Sequence, residues 1–206
     1  MSLPRPALVT ALAAAFVAAL AVALVGCGPS GPSFDPSGPC LADGQSEGAY
    51  PDLEAAIPVT MDDEPPTRLD SGRSCSAENL GTLSGRGIVE LRFAGALWEI
   101  GNQSGVTIAR FTAPGLEDAW MAEFYEAGAR AGRRTEDIRV ARPPVNGETG
   151  WRLDTLNDES FQTIVVWRDD EPDAVWVVLA ASGIREVTTR EAHDSVVDAA
   201  LRAVGP

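Results

Sequence analysis

The serine in the segment GQSEG (44–48) is the first candidate for chemistry, because the segment matches the G-x-S-x-G pattern of hydrolase nucleophiles. His193 follows it in the chain order that a hydrolase triad needs. The pattern also requires an apolar strand directly before the serine, whereas the preceding residues here are PCLAD. We therefore expect no catalytic residues and no enzyme activity, and we keep a hydrolase built on Ser46 as the alternative.

The histidine segment HDS (193–195) does not form a triad by itself. Adjacent residues of a helix point in different directions, so these side chains cannot pass a proton along aligned hydrogen bonds. His193 lies one helical turn before Val197, at the edge of an apolar face. We predict that it is a half-exposed boundary residue.

A basic stretch, RAGRRTEDIRVAR (130–142), contains five arginines in an otherwise acidic chain. Guanidinium groups bind carboxylates, phosphates and acidic sugars in bidentate fashion, so Arg130, Arg133 and Arg134 are candidates for an anion-binding site. The alternative is a helix end whose positive charge matches the helix dipole and pairs with the acidic residues 136 and 137.

Few residues of the chain are suited to binding a metal ion or a cofactor. The chain has one His, and it contains no C-x-x-C, no H-E-x-x-H and no phosphate-binding loop. The acidic run DDE (62–64) lacks the alternating spacing of a calcium loop. We expect no metal and no cofactor. The five Trp residues occupy periodic positions, which indicates that most of them are core and that one or two line a pocket.

The N-terminal 26 residues have the plan of an export signal. Arg5 provides a basic start, an apolar run extends over 7–25, and the small residue Gly26 precedes Cys27. A retained transmembrane helix is the alternative, because about 20 apolar residues can span a bilayer. The run is rich in Ala, which contributes less transfer energy than Leu or Ile, and this favours cleavage.

The segment LVGC (24–27) resembles the lipobox of bacterial prolipoproteins. The resemblance covers residues 1–27 and implies that Cys27 becomes a new N-terminus carrying diacylglyceryl and palmitate groups. It also implies that the protein is anchored in the bacterial cell membrane and faces the extracytoplasmic side. The sequence GPSGPSFDPSGP (28–39) then predicts an extended, mobile tether.

Two cysteines remain after Cys27 in a compartment that is then oxidising. We predict a disulfide between Cys40 and Cys75, with an irregular acidic subregion between them. The chain as a whole carries 30 acidic residues against 16 basic ones, a net charge of −14. This charge repels phosphate backbones, so no nucleic-acid partner is expected.

The remainder of the sequence predicts an α+β domain over 40–206. Alternating apolar residues from 87 and the runs 96–100 and 106–111 indicate a hairpin or meander, and further strands are predicted at 138–141, 151–156, 161–167 and 174–181. Helical spacing predicts a helix over 116–131 that Gly132 ends, and a last helix beginning at the capping box Thr188-x-x-Glu191. We expect a mostly antiparallel sheet of about five to six strands with helices packed on it.

In layout alone, this order of elements resembles PsbP-like α/β/α sandwiches and uncharacterised secreted lipoprotein domains. The resemblance implies at most a binding or assembly role. We therefore expect a membrane-anchored, non-enzymatic module that binds either a small ligand or an envelope protein. A ligand-binding module predicts a cavity between sheet and helix, and an interaction module predicts a filled core with an exposed apolar patch.

Overall fold

The computed structural model describes residues 33–157 and 159–205 of the 206-residue chain. Its strands are β1 Gly44–Ser46, β2 Arg68–Ser74, β3 Leu91–Glu99, β4 Gly105–Thr112, β5 Glu136–Ala141, β6 Pro144–Val145, β7 Glu148–Thr149, β8 Trp151–Leu156, β9 Ser160–Arg168 and β10 Ala174–Gly183. Its helices are α1 Pro51–Glu54, α2 Ala77–Leu80, a 3-10 helix Gly81–Arg86, α3 Asp118–Ala131 and α4 Arg190–Val204.

One antiparallel sheet contains eight of these strands in the order β1-β2-β3-β4-β10-β9-β8-β5, and β6 and β7 form a separate two-stranded sheet. The expected count of five to six strands is therefore wrong. The two strands that the sequence did not indicate in the large sheet are β1 and β2, which lie in the region expected to be irregular.

Strand β2 has the sequence RLDSGRS, and its buried residues are polar or glycine: Asp70, Ser71, Gly72 and Arg73. A buried strand is recognised in a sequence by its apolar face, and this strand has none. Its burial depends on hydrogen bonds instead. Ser71 Oγ donates to Glu54 and accepts from the Tyr50 amide, both at 2.7 Å.

The predicted hairpin, the last three strands and the two long helices are confirmed, with shifts at some ends. The alternating residues from 87 and the run 96–100 form a single strand, β3, which begins at Leu91. Val89 lies before this strand and is 77 % exposed. The N-cap of α4 is Thr189 rather than Thr188, because it is the Thr189 hydroxyl that accepts the Ala192 amide. Helix α3 ends at Gly132 as predicted.

Each face of the sheet buries its own hydrophobic core. The core under α3, α2 and the 3-10 helix contains Phe93, Phe111, Met121 and the strand residues Val175 and Val177. The core under α4 and the segment around α1 contains Ile57, Met61, Trp98, Val165, Trp167, Val178 and Val197. The apolar run of β10 follows from this arrangement, because the strand is covered on both sides.

The predicted disulfide joins Cys40 to Cys75, with a Cα–Cα distance of 5.6 Å. Arg73 lies two residues before this bridge and is 2 % exposed. Its Nη1 donates to the carbonyl oxygen of Gly38 at 2.8 Å, and its Nη2 donates to those of Asp35 and Pro39 at 2.9 and 2.8 Å.

The last part of the expected tether is therefore held against the sheet rather than extended from it. Phe34 packs on Gly44, where a Cβ atom would overlap its side chain, and the Arg73 guanidinium lies 5.8 Å from the Phe34 ring. Residues 28–32 of the tether lie outside the described residues.

We predict that Arg73→Met lowers the free energy of unfolding by about 2–3 kcal/mol, because it removes three charge-assisted hydrogen bonds that the buried guanidinium donates to backbone carbonyl groups. Urea denaturation measures this loss, and hydrogen exchange should show reduced protection near residues 35–39. Arg139→Met is the control, since that exposed arginine pairs with Asp137 at the surface and its loss should cost less than about 0.5 kcal/mol. Equal effects of the two substitutions would contradict the role of Arg73.

Candidate functional site

A cavity of about 240 Å³ lies between α3 and the strands β5, β8 and β9. It is partly open to solvent, and most of its wall is apolar. The lining residues are Ala119, Ala122, Glu123, Tyr125, Glu126, Val140, Trp151, Arg152, Leu153, Ile164 and Val166.

The cavity results from small residues on the helix opposite large residues on the sheet. Alternation along β8 and β9 directs Trp151, Leu153, Ile164 and Val166 towards α3. The helix presents Ala119 and Ala122 to this part of the sheet, and these side chains are too short to fill the space.

Trp151 is a wall of the cavity that is fixed in position by two contacts. Its Nε1 donates to Asp118 Oδ2 on α3 at 3.0 Å. The Arg142 guanidinium lies 3.8 Å from the ring centroid, a cation–π contact, and Arg142 Nε also donates to the Gly150 carbonyl oxygen at 3.2 Å. The indole is thus held in position between helix and loop.

Tyr125 supplies the cavity with a polar group in apolar surroundings. Burial raises the pKa of the phenol above its usual range, so the hydroxyl is neutral and can both donate and accept a hydrogen bond. No residue within 33–157 or 159–205 forms a hydrogen bond with it. Tyr125 is half-buried as a residue, and a hydroxyl without a protein partner at the wall of a cavity is suited to a ligand or to water.

Two carboxylates on α3 also line the cavity. Glu123 pairs with Arg86, and Glu126 pairs with Arg130 one turn further along the helix, both at 2.6 Å. The side chains of these four residues are between 33 and 60 % exposed. Such exposed ion pairs contribute little stability and rearrange easily.

The arginines predicted as an anion site lie at the end of α3 and just after it. Arg130 donates to Glu126 from both Nε and Nη2, at 2.9 and 2.6 Å, while Arg133 and Arg134 are exposed. Further along, Arg139 pairs with Asp137. Anion binding by Arg130, Arg133 and Arg134 stays a prediction, and Arg130 already has a carboxylate partner.

The structure does not bring Ser46 and His193 together. Ser46 is exposed on the edge strand β1, opposite Ser71. His193 is 0 % exposed, with Nδ1 at 2.8 Å from Ser182 Oγ and Nε2 at 2.9 Å from Thr163 Oγ1. The prediction that His193 is half-exposed is wrong, because it lies on the same buried face of α4 as Val197 and Ala200.

His193 belongs to a chain of buried hydrogen bonds in which the donor and the acceptor of each bond can be assigned. Thr163 Oγ1 donates to Asp154 Oδ1 at 2.5 Å, since an ionised carboxylate can only accept. Thr163 must then accept from His193 Nε2–H, and Nδ1 accepts from the Ser182 hydroxyl. Burial acts to raise the pKa of Asp154, but hydrogen bonds from Arg152 and Thr163 outweigh it and hold that pKa below its usual value.

Arginines complete this network on the α4 side of the sheet. Arg152 binds Asp154 at 3.0 Å and Asp194 at 2.5 Å, and Arg190 Nη1 lies 3.6 Å from Asp154. Burial, together with the nearby Arg190, lowers the pKa of His193 to about 4. The imidazole is therefore neutral at pH 7, and its role is to fix α4 on β9 and β10.

Cys27 and the leader 1–26 lie outside the described residues. Among the helices that the structure describes, none is long and apolar enough to cross a membrane. Within the same residues, no group of three or more His, Cys, Asp or Glu side chains has the arrangement of a metal site. A scan against models of protein families finds no match, and a search of curated proteins also finds none.

We predict that stability falls by about 2 kcal/mol between pH 7 and pH 5. The pKa of His193 is about 4 in the folded state and about 6.5 in the unfolded state, so in this window the unfolded state binds more protons and stability rises with pH. Because His193 is the one histidine of the chain, His193→Gln should reduce the difference to below about 0.5 kcal/mol. Urea denaturation of the wild-type protein and the variant at pH 7 and pH 5 measures this difference in stability. An unchanged pH dependence in the variant would contradict the assignment.

Proposed function

We propose that this protein is a bacterial lipoprotein, anchored in the membrane through lipid on Cys27, whose extracytoplasmic domain binds a small and largely apolar ligand without transforming it. The observation that carries the proposal is the cavity beside α3. It combines apolar walls with the half-buried Tyr125, whose hydroxyl has no partner among the described residues, and this is the usual composition of a ligand site.

The anchor is supported by the lipobox-like LVGC sequence at the end of an apolar leader. The disulfide between Cys40 and Cys75 is consistent with the same location, because disulfides persist in oxidising extracytoplasmic compartments. Two acyl chains would hold the protein on the membrane durably. The net charge of −14 disfavours nucleic acid as a partner.

A non-enzymatic role is supported by the environment of the candidate nucleophile and base. Both ring nitrogens of His193 already have hydroxyl partners, from Ser182 and Thr163, and Ser46 is in a different part of the sheet. The cavity contains no histidine, serine or cysteine among its described lining residues. Its carboxylates, Glu123 and Glu126, are in exposed ion pairs.

Anchoring predicts that the mature wild-type protein carries diacylglyceryl on Cys27 and partitions into a detergent phase. Cys27→Ser should remove the lipid label and leave the precursor unprocessed, because no thiol is available for acylation. Intact-mass spectrometry and phase partitioning measure both effects. Cys40→Ser is the control, since it is the same substitution at a cysteine of the disulfide and should leave lipidation of Cys27 intact. A lipid-labelled, processed Cys27→Ser protein would contradict the anchor.

Ligand binding predicts that protein extracted from its own membrane loses a small mass on denaturation. Ala122→Leu should abolish this mass difference, because the larger side chain occupies the cavity. Ala127→Leu is the control on the exposed face of the same helix and should retain it. Native and denaturing mass spectra, with thermal unfolding to verify folding, measure the outcome. Equal native and denatured masses for wild type would contradict small-ligand binding and direct the search to envelope proteins.

A further inference from the structure

The proposed ligand site has a charge preference, and the inference drawn from it rests on the proposed function. We propose that the cavity beside α3 binds a small organic cation: an ammonium group carried on a compact apolar body, such as one ring with a short chain. The apolar body contacts Trp151, Leu153 and Ile164, and the ammonium group lies at the α3 side near Glu123 and Glu126.

The first argument is the charge of the lining. Glu123 and Glu126 are the two acidic residues among the described lining residues, and Arg152 is the one basic residue. The Arg152 guanidinium is already bound to Asp154 and Asp194, beneath α4 on the opposite face of the sheet. Among the described lining residues, therefore, no basic side chain is left without a carboxylate partner, and Glu123 and Glu126 disfavour a ligand anion.

The second argument concerns the present partners of these carboxylates. Arg86 and Arg130 reach Glu123 and Glu126 from the surface, with 46 and 60 % of their side chains exposed. Exposed pairs of this type contribute little net energy. A ligand ammonium inside the cavity interacts with the same carboxylates in a less polar environment, where the attraction is stronger.

The third argument is that the remaining polar group and the size of the cavity fit such a ligand. The Tyr125 hydroxyl is neutral because burial raises its pKa, and its oxygen can accept an N–H from an ammonium group. Aromatic walls also attract cations. The volume of about 240 Å³ suits a single ring with a short substituent. The net charge of the chain, −14, raises the local concentration of cations near the surface.

Three probes with the same ring separate charge from shape: benzylamine, benzyl alcohol and benzoate. Binding to the mature protein in detergent is measured by calorimetry and by Trp fluorescence, each against a protein-free blank. We expect benzylamine to bind at least tenfold more tightly than benzyl alcohol, and benzoate to bind most weakly. Raising the salt concentration should weaken benzylamine binding and leave benzyl alcohol binding unchanged, a comparison that needs no variant.

The double variant Glu123→Gln, Glu126→Gln should weaken benzylamine binding at least tenfold while leaving benzyl alcohol binding unchanged. Glu47→Gln is the matched control for loss of one carboxylate, because Glu47 directly follows β1 at the opposite edge of the sheet.

Equal affinity for benzylamine and benzyl alcohol, no effect of the double variant, or no binding of any of the three probes would overturn the cation assignment. The proposed function is decided separately, by whether the native mass spectrum shows a retained ligand.

Discussion

The pairing of β4 with β10 joins two halves of the sheet that are far apart in the sequence. Eight consecutive residue pairs connect the strands, from Thr112 opposite Ala174 to Gly105 opposite Ala181. Among the described strands, this is the pairing that links β1–β4 to the group of β5, β8, β9 and β10. Both strands bury side chains on both faces of the sheet, so the helices are divided between the faces and two separate cores form. Such long-range pairing also costs loop-closure entropy during folding.

Apolar periodicity in the sequence was sufficient to predict most of the central strands and both long helices, because these elements bury apolar faces. It could not predict β2, whose buried Arg73 and Asp70 resemble surface residues until their partners are known. The same limit applied to His193. Its spacing from Val197 placed it at the edge of the apolar face and predicted half exposure, because the hydroxyl groups that make full burial possible come from β9 and β10. A single sequence does not show which polar groups a fold brings together.

Only part of the candidate site could be predicted from the sequence. One or two Trp residues were predicted to line a pocket, and Trp151 lines the cavity. The sequence could not show which Trp it would be, because core residues and cavity-lining residues of a strand have the same alternating spacing. What creates the cavity is the shortness of Ala119 and Ala122 at positions where α3 crosses β8 and β9. Strand β8 also separates two environments, because Trp151 and Leu153 face the cavity whereas Arg152 and Asp154 face the polar network under α4. The cavity and this network are thus built on alternate residues of one strand.

The disulfide between Cys40 and Cys75 has a mechanical consequence. A pulling force applied to the chain before residue 40 first meets the segment held by Arg73, and then passes through a covalent bond to the end of β2. The 34 residues inside this covalent loop, which include β1 and α1, are bypassed and carry no tension. The edge of the sheet nearest the N-terminus, where β1 pairs over only three residues, is therefore protected from being peeled away by load on the preceding chain.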